Sequence, residues 1–188
     1  NANTYSVIVT DVNGCSTTNT ITLTQPTILT NTISISSNYS GQNISCNGAS
    51  DGSINLTVSG GTTAYTYNWS NGATTQNVSA LIAGMYSVTI TDVNGCSKVD
   101  TLTLSQPLPI QLSSVIANVT CNSFTNGGIN LSATGGTPGY LYNWSNASTT
   151  QHLTGIGAGS YTVVVTDTNL SLIHISEPTR LRRISYAV

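Results

Sequence analysis

Charge is nearly missing from this chain of 188 residues: Asp, Glu, Lys and Arg together make up 5% of it, and ahead of residue 170 there is neither an arginine nor a glutamate. Lys98 is the one basic side chain of that stretch, and Asp11, Asp51, Asp92, Asp100 and Asp167 are its acids. An acidic chain without a basic patch lacks the attraction that dominates nucleic-acid affinity, so no nucleic acid is expected as a partner. Acid–base and nucleophilic catalysis lack their parts too. The only histidine before residue 170 is His152, and serines are plentiful but form no recurring Ser/His/Asp set, so no enzyme and no cofactor are expected. There is no CxxC pair, which excludes the common zinc frameworks. No apolar run approaches the roughly 20 residues of a spanning helix, so no membrane insertion is expected. What remains is 38% hydrophobic with a mean hydropathy of +0.07, enough to bury a core, with Ser, Thr, Asn and Gln providing solubility.

The missing charges reappear at one place. Glu177, Arg180, Arg182 and Arg183 all lie in the final stretch. The run LSLIHISEPTR from Leu170 to Arg180 reads as an in-frame translation of a transposase-type sequencing adapter, ISYAV from Ile184 to Val188 as the flanking primer, and Leu181 to Arg183 as a barcode between them. A genuine charged tail is the alternative. Residues 170–188 are therefore read as a non-native tail and kept out of the fold. The other end starts in mid-pattern, and both ends are expected to be cuts in a longer protein.

Self-similarity is the main signal. CNGASDGSINLTVSGGTTAYTYNWSNGATTQ from Cys46 returns as CNSFTNGGINLSATGGTPGYLYNWSNASTTQ from Cys121, and Cys46/Cys121, Trp69/Trp144, Tyr86/Tyr161 and Asp92/Asp167 are each 75 positions apart. A partial copy opens the chain, with TYSVIVTDVNGCS from Thr4 matching MYSVTITDVNGCS from Met85. Gln25-Pro26 and Gln106-Pro107 close a copy each time, the proline being a stop that cannot donate to a ladder. The expected organisation is the end of one repeat at 1–26, a complete repeat at 27–107, and a repeat at 108–169 cut before its last strand, the one equivalent to Lys98–Leu104. The alternating segment Leu172–Ile175 could pair in its place without implying biology.

Strict alternation marks strands: Ile54, Leu56 and Val58 share one face, as do Tyr86, Val88 and Ile90. Gly60-Gly61, Asn71-Gly72 and Asn94-Gly95 are turn signals, the last of them between two strand-like runs and therefore a hairpin. No long segment of helical period occurs. About seven short strands per repeat predict an all-β chain of tandem small immunoglobulin-like β-sandwiches. In Leu81-x-x-Gly84-x-Tyr86, and at Tyr161 in the next copy, the pattern is that of a tyrosine corner.

The motifs CNGxSDGSI, GGTxxYxYxWSNG, LxAGxYxVTxTDVNGC and the closing QP, taken in this order over residues 1–169, resemble the SprB-type repeat of bacterial gliding-motility and cell-surface adhesins. The resemblance implies very large proteins secreted by the type IX route and displayed on the cell surface, where they grip a substratum or surface polysaccharide. It implies neighbouring repeats of the same chain as partners. A passive spacer for another module and a discrete carbohydrate-binding module are the alternative functions.

Few residues could carry chemistry. Cys46 and Cys96 bracket the complete repeat and are the expected disulfide, since a small secreted domain gains stability from such a bridge; Cys96–Cys121, stapling neighbours, is the rival, and connectivity stays open. Tyr65, Tyr67 and Trp69 alternate along one strand, as do Tyr140, Tyr142 and Trp144, so each trio shares a face. That face is either a platform for sugar rings or the sandwich core. Asp92 and Asp167, like Asp11, precede a turn and could ligate calcium or cap the turn without metal.

Overall fold

The computed structural model describes residues 2–121 and 123–171; the expected adapter beyond Ser171, including the possible pairing of Leu172–Ile175, lies outside the described residues. The described chain is all-β. It divides into two compact units, one formed by Asn1–Ile33, Leu56–Gln76 and Ser87–Thr101, the other by Ser34–Asn55, Asn77–Tyr86 and the chain from Leu102 onward.

The first unit opens with a hairpin of β1 (Asn3–Thr10) and β2 (Ser16–Leu23), paired antiparallel from Asn3↔Leu23 to Thr10↔Ser16. Both strands are exposed along their whole length, Tyr5, Val7 and Val9 included. Their counterparts Tyr86, Val88 and Ile90 are buried in the complete repeat, so among the described residues the hairpin exposes the face that the complete repeat buries.

The complete repeat has six strands: β3 (Thr30–Ile35), β4 (Gly52–Ser59), β5 (Tyr65–Trp69), β6 (Val78–Leu81), β7 (Gly84–Asp92) and β8 (Ser97–Leu104). They form two three-stranded sheets in the orders β3-β4-β6 and β5-β7-β8. These are the orders of the two immunoglobulin-like sheets, with strands A, B and E in one and C, F and G in the other, and no D strand. The expected count of about seven is corrected to six. The stretch between β3 and β4 is rich in Ser, Asn and Gly, residues that favour turns, and it holds only the isolated bridge Tyr39↔Gln42.

The second unit shows how such sheets close on each other. In the last repeat, β9 (Gln111–Ala117), β10 (Gly127–Thr134) and β12 (Leu153–Ile156) form one sheet, and β11 (Leu141–Trp144) and β13 (Val163–Thr166) the other. Ile129 and Leu131 of β10 and Leu153 of β12 meet Trp144 of β11 and Val165 of β13 in one buried cluster. Alternate residues of β10 point away, as Asn130 and Ser132 do, which is the period-2 pleat of a two-layer sandwich. Each of those five buried side chains contributes about 1.5–3 kcal/mol by leaving water. β4 repeats the burial pattern of β10, with Gly52, Ile54 and Leu56 inward.

Candidate functional site

The tryptophans of the two aromatic rows are buried, and their tyrosines are half-buried. Trp69 is 2% exposed and Trp144 4%, and each indole Nε1–H donates to a carbonyl six residues on, Thr75 and Thr150, at 2.8 Å. Tyr140 and Tyr142 pack against the buried cluster of the last repeat. The hydroxyl of Tyr65 donates to the Gly60 carbonyl at 2.6 Å, and that of Tyr140 to the Gly135 carbonyl. Tyr67 is half-buried. Burial, and then the neighbouring Tyr140, raise the Tyr142 phenol above its ordinary range. Trp69 and Trp144 are thus core side chains, while the tyrosines of both rows keep part of their surface exposed.

The recurring aspartates organise turns. Asp92 Oδ1 accepts the N–H groups of Asn94 and Cys96 at 3.0 and 2.8 Å, while Oδ2 accepts that of Thr62 at 2.9 Å. Asp167 does the same with Asn169, Ser171 and Thr137 at 3.0, 2.9 and 2.8 Å. Asp11 holds Asn13 and Cys15, both at 2.9 Å. A carboxylate bonded to this many N–H donors favours its ionised form; those donors, Thr62 foremost, hold Asp92 below its ordinary value against the opposing effect of burial. Both oxygens are thus committed to backbone, and no three His, Cys, Asp or Glu gather as a metal cluster among the described residues.

A glycine makes room for each of these carboxylates. Gly61 and Gly136 sit at φ +61° and +59°, and a Cβ there would lie 2.9 and 2.8 Å from Oδ2 of Asp92 and Asp167. Sequence reasoning took Gly60-Gly61 for a turn and missed this approach; the pairing of the GGT motif with a TD motif in both copies was the available signal.

Tyr86 donates its hydroxyl to the Ile82 carbonyl at 3.0 Å, and Tyr161 to Gly157 at 3.2 Å, each four residues upstream. This is the bond a tyrosine corner makes at the start of strand F. His152 accepts the Leu131 N–H at its Nδ1, 3.3 Å away, which ties it to the edge of β10.

All four cysteines are thiols in this structure, and the choice between a Cys46–Cys96 bridge and its rival Cys96–Cys121 stays open. Cys15, Cys96 and Cys121 are exposed, whereas Cys46 is partly covered. The cover comes from the terminal turn of the last repeat. Asn169 Nδ2 donates to the carbonyls of Tyr39 and Ser45, both at 3.3 Å, and to Thr137 Oγ1 at 2.9 Å, while its Oδ1 accepts the Ser40 hydroxyl at 3.2 Å. Ser171 Oγ contacts Cys46 Sγ directly. The link between the repeats grips the same loop, with Gln106 Oε1 accepting the Gly48 N–H at 2.8 Å and the Pro107 carbonyl accepting Asn47 Nδ2 at 3.1 Å. The loop from Tyr39 to Gly48 is therefore a seat for the next repeat. No sequence reasoning found it, although the complete copy carries one cysteine at the loop and another at the turn.

The family model of the SprB repeat matches the chain twice, over residues 38–74 and 113–149. Each match includes the Trp strand, and the first begins at the seat loop. No curated protein matches the chain.

Proposed function

We propose that this chain, which carries two SprB repeats, is a non-catalytic stretch of a secreted cell-surface adhesin of the gliding-motility kind, and that it serves attachment through the number of its repeats. One observation carries this reading: the two copies make the same framework bonds at equivalent positions, while several positions that face solvent differ. Trp, Tyr and Asp do the same work in both. Exposed Thr66 and Met85 are replaced by exposed Leu141 and Ser160. A scaffold kept constant under a varying surface suits a display array, in which weak contacts with surface polysaccharide or substratum gain strength through effective concentration.

The passive spacer is the second reading, and the inward packing of Trp69 and Trp144 supports it over a discrete carbohydrate-binding module. The test is binding of the whole chain to immobilised polysaccharides, presented once as a monomer and once as a tetramer on a carrier. Binding by the tetramer alone supports the array. No binding in either form leaves the spacer, and saturable binding by the monomer supports the module.

A further inference from the structure

We infer that Cys46 is one half of an inter-repeat disulfide, whose other half is the cysteine that closes the terminal turn of the following repeat. Position 171 holds the argument. It stands 75 residues after Cys96, and the turns that end at Cys15 and Cys96 both read Asp-Val-Asn-Gly-Cys, where the last one reads Asp-Thr-Asn-Leu-Ser.

Leu170 and Ser171, the first residues of the stretch read above as a non-native tail, keep the geometry of the turn. Ser171 N–H donates to Asp167 Oδ1 at 2.9 Å as Cys96 N–H does to Asp92 Oδ1 at 2.8 Å. Leu170 adopts φ +60° where Gly95 has +82°. The backbone at 171 is thus a stand-in for the backbone that carries cysteine in a full copy, and its Oγ stands where that cysteine's Sγ would be. That Oγ touches Cys46 Sγ, and both residues are shielded from solvent at least in part. Cys46 Sγ is also 4.0 Å from the Asn169 carbonyl, so the thiol faces the turn from two directions. Side chains already in contact meet the proximity a disulfide demands.

In this register each turn cysteine reaches back to the loop cysteine of the repeat before it. Bridge formation removes two protons and two electrons from the paired thiols. A small-molecule disulfide, such as oxidised glutathione, accepts them by exchange and leaves as two thiols. The product is a chain of sandwiches stapled one to the next, so that tension along an array bears on covalent bonds at every junction.

The test is Ser171→Cys in the full chain, equilibrated in a glutathione redox buffer and mapped by non-reducing peptide mass spectrometry, with Leu170→Gly/Ser171→Cys as a second variant that restores the turn glycine. The expected product is a disulfide-linked peptide pair joining Cys46 to the thiol introduced at position 171. It should be retained when Cys96→Ser is added, lost when Cys46→Ser is added, and accompanied by a higher unfolding midpoint that a reductant reverses. A Cys46–Cys96 or Cys96–Cys121 bridge, or two unlinked thiols at 46 and 171, would overturn the proposal. The unmodified chain gives an independent readout: Cys46 should react with a maleimide more slowly than Cys96 and Cys121. Equal rates in the folded chain would mean that the turn does not seat on the loop, and the proposal would fail.

Discussion

Asn169 donates to the main-chain carbonyl of Tyr39 across a repeat boundary, 130 positions along the chain. It does so because Asp167 first fixes the turn that carries it. The order of dependence runs from glycine to carboxylate, from carboxylate to turn, and from turn to the neighbouring repeat, and each link predicts a measurable loss.

Replacing Asp167 with Ala leaves the N–H groups of Thr137, Asn169 and Ser171 without their acceptor. Hydrogen bonds to a charged group are worth about 1.5–3 kcal/mol, and a chemical-denaturation midpoint should fall by at least the equivalent of one such bond. Gly136→Ala should also destabilise, because its φ is +59° and a Cβ there would press on Asp167 Oδ2 at 2.8 Å and on Ile110 Cγ1 at 2.6 Å.

Acid should act on the turn of Asp92. Asp92 is held below its ordinary value by the N–H groups of Thr62, Cys96, Asn94 and Gly95, so it binds its proton less readily folded than unfolded. Its stabilisation is present above the unfolded carboxylate value of about 3.9 and is lost as pH falls through the lower folded value. Urea midpoints measured downward from about pH 6 should decline below about pH 4, and Asp92→Asn should flatten part of that decline. An unchanged profile in the variant would contradict the assignment.

Trp144→Ala should cost about 3–5 kcal/mol, the usual penalty for emptying an aromatic core site. The loss would show as an early unfolding transition of the last repeat, followed by circular dichroism. A Trp144 serving a surface platform would be replaced with almost no change in stability.

Tyr86→Phe keeps the ring in the core and removes only the hydroxyl that reaches the Ile82 carbonyl. Its cost should be about 0.5–1.5 kcal/mol, and Tyr161→Phe, with its longer bond of 3.2 Å, should cost no more.

Much of this fold was legible in the sequence because it depends on local pattern. Period-2 alternation located β4 and β7, and the constant offset between Cys46 and Cys121 predicted that the burial pattern would repeat. The TDVNG motif announced a hairpin and left its aspartate open between capping the turn and ligating calcium. The aromatic trios were ambiguous, since alternation says that Tyr65, Tyr67 and Trp69 share a face and says nothing about what covers it. The seat loop was illegible for a different reason. Tyr39, Ser45 and Asn169 meet through main-chain carbonyls and one amide, which leave no hydrophobic period to read, and their contact depends on how consecutive repeats dock. The cysteine pairing stayed open on the same point, because bracketing a repeat in sequence does not say which cysteines are adjacent in space.

The most direct test compares one substitution at two equivalent positions. Asn94 Nδ2 bonds Thr62 Oγ1 within its own repeat at 2.9 Å, as Asn169 Nδ2 bonds Thr137 Oγ1 at 2.9 Å, but Asn169 also reaches Tyr39, Ser45 and Ser40 of the preceding repeat. Denaturation of the whole chain carrying Asn94→Ala or Asn169→Ala should show the larger loss for Asn169, by about 1–3 kcal/mol for the additional bonds. Equal losses would contradict the docking of one repeat's turn on the loop of the repeat before it.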